Sequence, residues 1–260
     1  MLYFWKTKNF TTLYKAKIIF RNFKDFTVQT YKLFIIKTSF PLIYMFVVNN
    51  FKSFNQNSYF IKKIYESSIF QFSDWFTNKI PILIYFLDKY RFPAKINLLE
   101  IGSFEGRSSI FFLNYFKEKL SVNSVMLTCV DTWEGSNEKF HEKINFNSVE
   151  KNFDSNTKIF SHYINKKKLT SYDFFKTDNK KLYDLIFIDG SHEFKDVLAD
   201  AQSSFSLLNK KGIIIFDDFN WFYYRDAKSN PAHAINIFLK DKINEVEIIF
   251  VGMILILRKI

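Results

Sequence analysis

Residues 184–221 read DLIFIDGSHEFKDVLADAQSSFSLLNKKGIIIFDDFNW, and this stretch decides the fold. Two apolar runs of buried-strand type, 185–188 and 213–216, each end in carboxylates: Asp189 after the first, Asp217 and Asp218 after the second. Between them Phe194, Val197, Leu198, Ala201, Phe205 and Leu208 follow a helical pattern, so the stretch predicts strand, crossover helix, strand. In an open α/β sheet that connection makes the two strands parallel and sends both carboxyl ends to one edge, where ligands bind. Topology alone therefore aims Asp189, Asp217, Asp218 and His192 at one place.

Upstream, INLLEI at 96–101 is a second short buried strand, followed by Gly102, Ser103, Phe104, Glu105 and Gly106 and then a helix with Ile110, Phe111, Leu113, Phe116 and Leu120 inward. Strand, glycine-containing turn and helix form the first βα unit of a nucleotide-binding sheet. Gly102 lets the backbone turn sharply, and Gly106 lets the helix start approach a ligand with no Cβ in the way. The spacing is neither GxGxxG nor GxxxxGK[ST], and the missing lysine argues against a phosphate-cradling NTPase. Glu100 is unusual inside a buried strand and needs donors, which nearby loop amides would supply. VMLTCVD at 125–131 opens the second unit. An acid at the end of the second strand holds a ribose diol in this architecture, which makes Asp131 the candidate. Trp133 either lies against an adenine face or caps the sheet.

The flanks complete the outline. Residues 73–76 read as a helix start, Pro81 as a break or a first-turn residue and 82–90 as an apolar helix, and residues 134–156 form a polar loop and helix over the site. A third strand is expected at about 158–163, with 166–168 a solvated turn. A helix opens at Pro231, and 246–251 and 253–257 form two strands joined at Gly252. Such a terminal antiparallel hairpin departs from the all-parallel dehydrogenase sheet.

The charge of +11 is concentrated at one end. Residues 1–65 hold eleven Lys/Arg and one acid, Asp25, whereas residues 66–260 hold twenty-six basic and twenty-five acidic residues. The body is near neutral, so a nucleic-acid reading rests on the N-terminal arm alone. That arm has three open readings: a cap or homo-oligomerisation arm, a membrane-surface segment, or a targeting segment outside the fold. Its apolar run at 40–48 is shorter than the ~20 residues a spanning helix needs. A single cysteine, Cys129, excludes an internal disulfide framework and favours a reducing, intracellular and cytoplasmic setting. The expected division is an extension over 1–65 and one α/β domain over 66–260.

LEIGSFEGRSS, CVDTWEG, FDSN, DLIFIDGSH, LLNKKGIIIFDDFNW and the Pro231 helix stand in the order found in class I S-adenosylmethionine-dependent methyltransferases. The chain resembles this family over about residues 75–259, and most closely its branch with an IDGSH signature after the fourth strand. The resemblance implies a Rossmann-like, doubly wound, mostly parallel seven-stranded sheet with a C-terminal antiparallel hairpin. It implies that Gly102, Ser103 and Gly106 line the methionine part of S-adenosylmethionine, that Glu100 fixes the turn or the amino group, that Asp131 binds the ribose and that Trp133 flanks the adenosine. A more distant similarity to catechol O-methyltransferases places a Mg²⁺ site at Asp189, Asp217 and Asp218 and a base at His192. Asp218 stands where those enzymes have Asn, so the alternative stays open that Asp217 and Asp218 bond strand-end amides and the cofactor's amino group without metal.

The implied reaction is O-methylation of a small-molecule or glycan hydroxyl, with His192, of ordinary pKa near 6.5, taking the acceptor's proton. A purely structural His192, holding Asp189 or a loop carbonyl, is the alternative. Methylation of nucleic acid through the basic arm is the rival enzyme reading. The chain lacks the Asn/Asp-Pro-Pro-aromatic sequence for base amines and a Lys-Asp-Lys-Glu set for ribose. A non-catalytic cofactor-fold binding protein is the rival outside enzymology.

Overall fold

Runs such as Ile213, Ile214, Ile215 and Phe216 have no polar face to turn to water, so the strand they form needs cover on both sides. A computed structural model describes residues 54–260 apart from 67, 121–123, 137, 139–140, 178–180, 220 and 222–223. The expectations for residues 1–53 lie outside the described residues. Seven strands, β1 (Lys95–Ile101), β2 (Ser124–Asp131), β3 (Ile164–Lys168), β4 (Tyr183–Ile188), β5 (Leu208–Phe216), β6 (Val246–Val251) and β7 (Leu255–Lys259), form one sheet in the order β3-β2-β1-β4-β5-β7-β6. The first five are parallel. β7 lies antiparallel between β5 and β6, which is the expected hairpin inserted at the edge.

Alternate residues of each strand feed two cores. Leu98, Phe187, Ile213 and Ile215 join α1 (Phe54–Glu66), α2 (Ile80–Leu87), α3 (Arg107–Asn114) and α4 (Phe146–Asn156) on one face. Leu99, Ile186, Ile214 and Phe216 join α5 (Ser171–Thr177), α6 (Phe194–Leu207) and α7 (Pro231–Lys242) on the other. Pro231 and Pro81 occupy the first turns of α7 and α2, where a missing N–H costs nothing. Asp74 accepts from the N–H groups of Phe76 and Thr77 at 3.0 and 2.9 Å and starts the turn Thr77–Lys79 that leads into α2. No helix among the described residues is long and apolar enough to cross a membrane.

Two features differ from the sequence expectation. Lys158–Tyr163 is a 3₁₀ turn, and the third strand follows it as Ile164–Lys168, taking in the lysines expected to form a turn. β3 is an edge strand, where lysines block further pairing, so apolar content is a poor guide to it. Lys166 and Lys168 are held by Glu150 and, for Lys166, Asp154 on α4. The second feature is α1, which straddles the boundary expected between residues 65 and 66. Its Phe60 and Ile64 are buried in the same core as α2 and α3.

Register positions the site. Ile101 pairs with Val130 and Ile188, and Ile188 with Phe216, so Gly102, Asp131, Asp189 and Asp217 stand in a row at the end of the sheet. Backbone bonds carry the ladder one step further: Gly102 N–H to Val130 O, Asp189 N–H to Ile101 O and Asp217 N–H to Ile188 O, all at 2.8–2.9 Å. Strands are added outward in one direction from β1 (β2, β3) and in the other from β4 (β5), so the strand order reverses between β1 and β4, which makes this the switch point where α/β sheets bind ligands.

Candidate active site

Gly102 adopts φ 85°, and a Cβ there would lie 2.0 Å from the carbonyl oxygen of Asp189. The turn after β1 thus rests directly on the backbone after β4. Gly106 adopts φ 87°, and a Cβ there would meet Thr157 Cγ2 at 2.9 Å and the Phe153 ring at 3.2 Å, so the helix start is packed against the α4 region. Glu100 lies beneath the turn, fully buried, and its Oε2 accepts from Ser103 Oγ at 2.7 Å and from Ser109 Oγ. Burial pushes its carboxyl up, and the serine hydroxyls only partly offset this. Ser103 is itself buried and turned toward Glu100, so this pair braces the turn from inside.

Asp131 organises the same loop from its other side. Its Oδ2 accepts from the N–H groups of Ser103 and Phe104 at 2.8 and 2.9 Å, and its Oδ1 accepts from Trp133 N–H at 2.7 Å. The Trp133 indole is 3% exposed, donates to Phe104 O at 2.9 Å and packs 4.9 Å from Phe153. Glu105, also buried, accepts from Gln71 N–H, Phe72 N–H and Asn152 Nδ2, while Arg107 donates to Phe72 O and Ser73 O. Residues 71–73 are thereby strapped to the turn.

Beyond β4 and β5 lies a charged cluster. His192 places Nδ1 2.7 Å from Glu138 Oε1 and Nε2 3.1 Å from Asp218 Oδ2, with the Trp221 ring against it at 4.3 Å. Burial opposes the charged imidazole, but the bonds to Asp218 and Glu138 prevail and raise its pKa to about 10. The value near 6.5 expected for a base is therefore not the one this environment sets. Asp218, at φ 48°, is drawn down to about 2: burial raises it, and Lys79 and His192 more than compensate. Burial and the neighbouring Asp217 push Asp189 well up.

Asp217 has a different role from its neighbours. Its Oδ2 is ion-paired with Lys79 Nζ and its Oδ1 accepts from Asp218 N–H at 2.9 Å. Each oxygen of Asp217, expected from sequence to share a metal with Asp189 and Asp218, thus has a protein partner. The atoms that do converge belong to Asp189, His192 and Asp218, one from each lying within 4.8 Å of the others. Two carboxylates and an imidazole suit a divalent cation that prefers oxygen and tolerates nitrogen. Glu138 Oε2, buried without a partner, adds negative charge at the cluster's margin.

Lys79 and Glu138 escaped sequence reasoning. Lys79 is 3% exposed and 138 residues from Asp217; its one signal was a lone lysine beside the apolar run of α2. Glu138 sits in a polar loop where nothing distinguishes it from Glu134. Three non-glycine residues with positive φ, Phe104, Trp133 and Asp218, follow β1, β2 and β5 at this one edge. Strain of about 1–3 kcal/mol per residue persists where surroundings enforce it, and it concentrates at functional sites.

Residues 99–219 match a family model described as "Methyltransferase domain". Over that segment the chain is similar to this family, and its sheet order and C-terminal hairpin are those that a Rossmann-like methyltransferase fold has. Similar solved structures include cofactor-bound Rv0187 from MTB, 11% identical over 84% of this chain and 95% of that one, with a TM-score of 0.50. MycE methyltransferase from the mycinamycin biosynthetic pathway, in complex with Mg and SAH, is 14% identical over 79% of this chain and 53% of its own, also at 0.50. An O-methyltransferase from Bacillus cereus in complex with SAH is 15% identical over 82% and 96%, at 0.49. No curated protein matches the chain by sequence.

Proposed function

We propose that the protein transfers the methyl group of S-adenosylmethionine to a hydroxyl oxygen of a small molecule or sugar. One observation carries this reading: register sets the Gly102 turn, Asp131 and the Asp189–His192–Asp218 cluster side by side at the switch point of a methyltransferase fold. Methyl transfer is an in-line displacement in which the acceptor oxygen bonds to the methyl carbon, the carbon–sulfur bond breaks, and the hydroxyl proton leaves to a base. The protein must chiefly align the two reactants and accept that proton.

Asp131 is the ribose anchor in this reading. Three loop amides occupy three of its roughly four acceptor sites, so it takes one ribose hydroxyl as it stands and a second when one amide gives way. His192 is the base, with its ring direction set by Glu138 on one side and the Trp221 face on the other. It acts as a base only as neutral imidazole, so a proton has to leave Nε2 first. Asp189 and Asp218 would hold a divalent cation, whose positive charge would lower the pKa of both the acceptor hydroxyl and the imidazolium.

Calorimetric titration of S-adenosylmethionine and S-adenosylhomocysteine, with and without Mg²⁺, tests the reading on wild type and Asp131→Ala. Wild type is expected to bind both, and Asp131→Ala to bind about 10- to 100-fold more weakly, the loss of one or two hydrogen bonds to a charged group. Folded wild-type protein that binds neither ligand would sink the proposal. Turnover of hydroxylated acceptors, read as S-adenosylhomocysteine release, then assigns the acceptor class.

A further inference from the structure

Lys79 stands outside the segment that matches the methyltransferase family, yet its ammonium reaches the centre of the acid cluster. It leaves the one-turn helix Thr77–Lys79 ahead of α2, is buried along its length, pairs with Asp217 Oδ2 and lies 3.7 Å from Asp218 Oδ1. Asp217, equally buried, has its other oxygen on Asp218 N–H. Asp189, by contrast, makes no side-chain hydrogen bond among the described residues. A buried carboxylate paired with a buried ammonium is costly to separate, because either partner alone would be an uncompensated charge.

We propose that Lys79 is a positioning residue: a resident internal cation that withdraws Asp217 from ligand duty, so that a divalent cation entering the site meets Asp189 and Asp218, with His192 beside them. The inference rests on the reading above that these side chains hold such a cation. It accounts for an arrangement in which, of two adjacent aspartates after β5, Asp217 takes the close contact with Lys79 and Asp218 takes the bond to His192. Asp217 closes the charge of the α2 turn against the sheet, and Asp218, whose Oδ2 bonds His192, stands with Asp189 in the converging cluster. Lys79 thereby sets how many protein oxygens the cation meets and how many waters it keeps, and the waters are the positions an acceptor would take.

Mn²⁺ binding, followed by calorimetry and by water-proton relaxation, tests this on the full chain. Lys79→Met frees Asp217 and removes a positive charge, and is expected to tighten Mn²⁺ at least tenfold. Relaxation enhancement should fall in that variant as a carboxylate replaces a bound water. The double variant Lys79→Met/Asp217→Asn removes both charges together, and is expected to bind within about threefold of wild type with wild-type relaxation. It also carries the test if the single variant does not fold, since no charge is left unpaired. Asp189→Asn is expected to lose Mn²⁺ binding. If the double variant loses Mn²⁺ as Asp189→Asn does, Asp217 is a ligand and the proposal falls while the cation reading stands. If wild type and every variant fail to bind Mn²⁺, the cation reading itself falls and takes this inference with it.

Discussion

Gly102 shows how one residue can join two halves of a site. Its φ of 85° is open to glycine, and the atom that an added Cβ would strike, at 2.0 Å, is backbone of the neighbouring strand end rather than a side chain that might rotate away. Gly102→Ala therefore forces the ends of β1 and β4 apart. The expected result is a loss of roughly 3 kcal/mol or more in urea unfolding, with S-adenosylmethionine binding abolished in whatever folds. Wild-type stability in this variant would show that the two strand ends are not in the contact described. Gly106→Ala is the comparison: its φ is also positive, but Thr157 Cγ2 and the Phe153 ring can shift, so it should cost less.

Elements differ in how plainly their sequences announce them. β1, β2, β4 and β5 are apolar runs buried on both faces, and the residues that end them, Gly102, Asp131, Asp189 and Asp217, are visible in the text because register puts chain neighbours of strand ends in one row. β3 is written in lysines because it is an edge, and an edge is specified by what it refuses to pair with. Ser53 followed by Gln56 is a helix-start signal for α1, but what marks the helix as part of the domain is packing: the Phe60 ring lies 5.9 Å from Phe111 and 5.8 Å from Tyr115. Truncating it, Phe60→Ala, should cost about 3–5 kcal/mol by urea unfolding, as for other buried aromatics. A change under about 1 kcal/mol would mean that α1 lies on the domain without being built into it. At the site, Asp189, His192 and Asp218 were legible because they follow strands, whereas Lys79 was not. Its partner is fixed by tertiary approach across 138 residues, which no local pattern encodes.

Across the whole molecule, buried carboxyl groups make stability depend on pH in an unusual direction. Glu100, Asp189 and Asp200 are all pushed up by burial, so the folded chain holds protons that the unfolded chain gives up. Asp200, on α6, is the one that can be separated from the cluster. Its Oδ2 lies 3.7 Å from where a Cβ on Gly190 would stand, and burial, with Asp196 adding and Ser171 subtracting, raises it from 3.8 to about 7. Below pH 3.8 both states bind this proton and its contribution is complete. As pH rises from there through 7, the unfolded state releases the proton first, and folding loses up to about 4 kcal/mol at this position. Asp200→Asn cannot titrate, so the variant should be close to wild type at pH 4 and about 2–4 kcal/mol more stable at pH 8. Urea unfolding of both proteins at the two pH values measures the difference, and groups common to both cancel in the comparison. Equal losses in the two proteins would assign the released proton to Glu100 or Asp189 instead, and Asp200 would then be ionised within the fold at neutral pH.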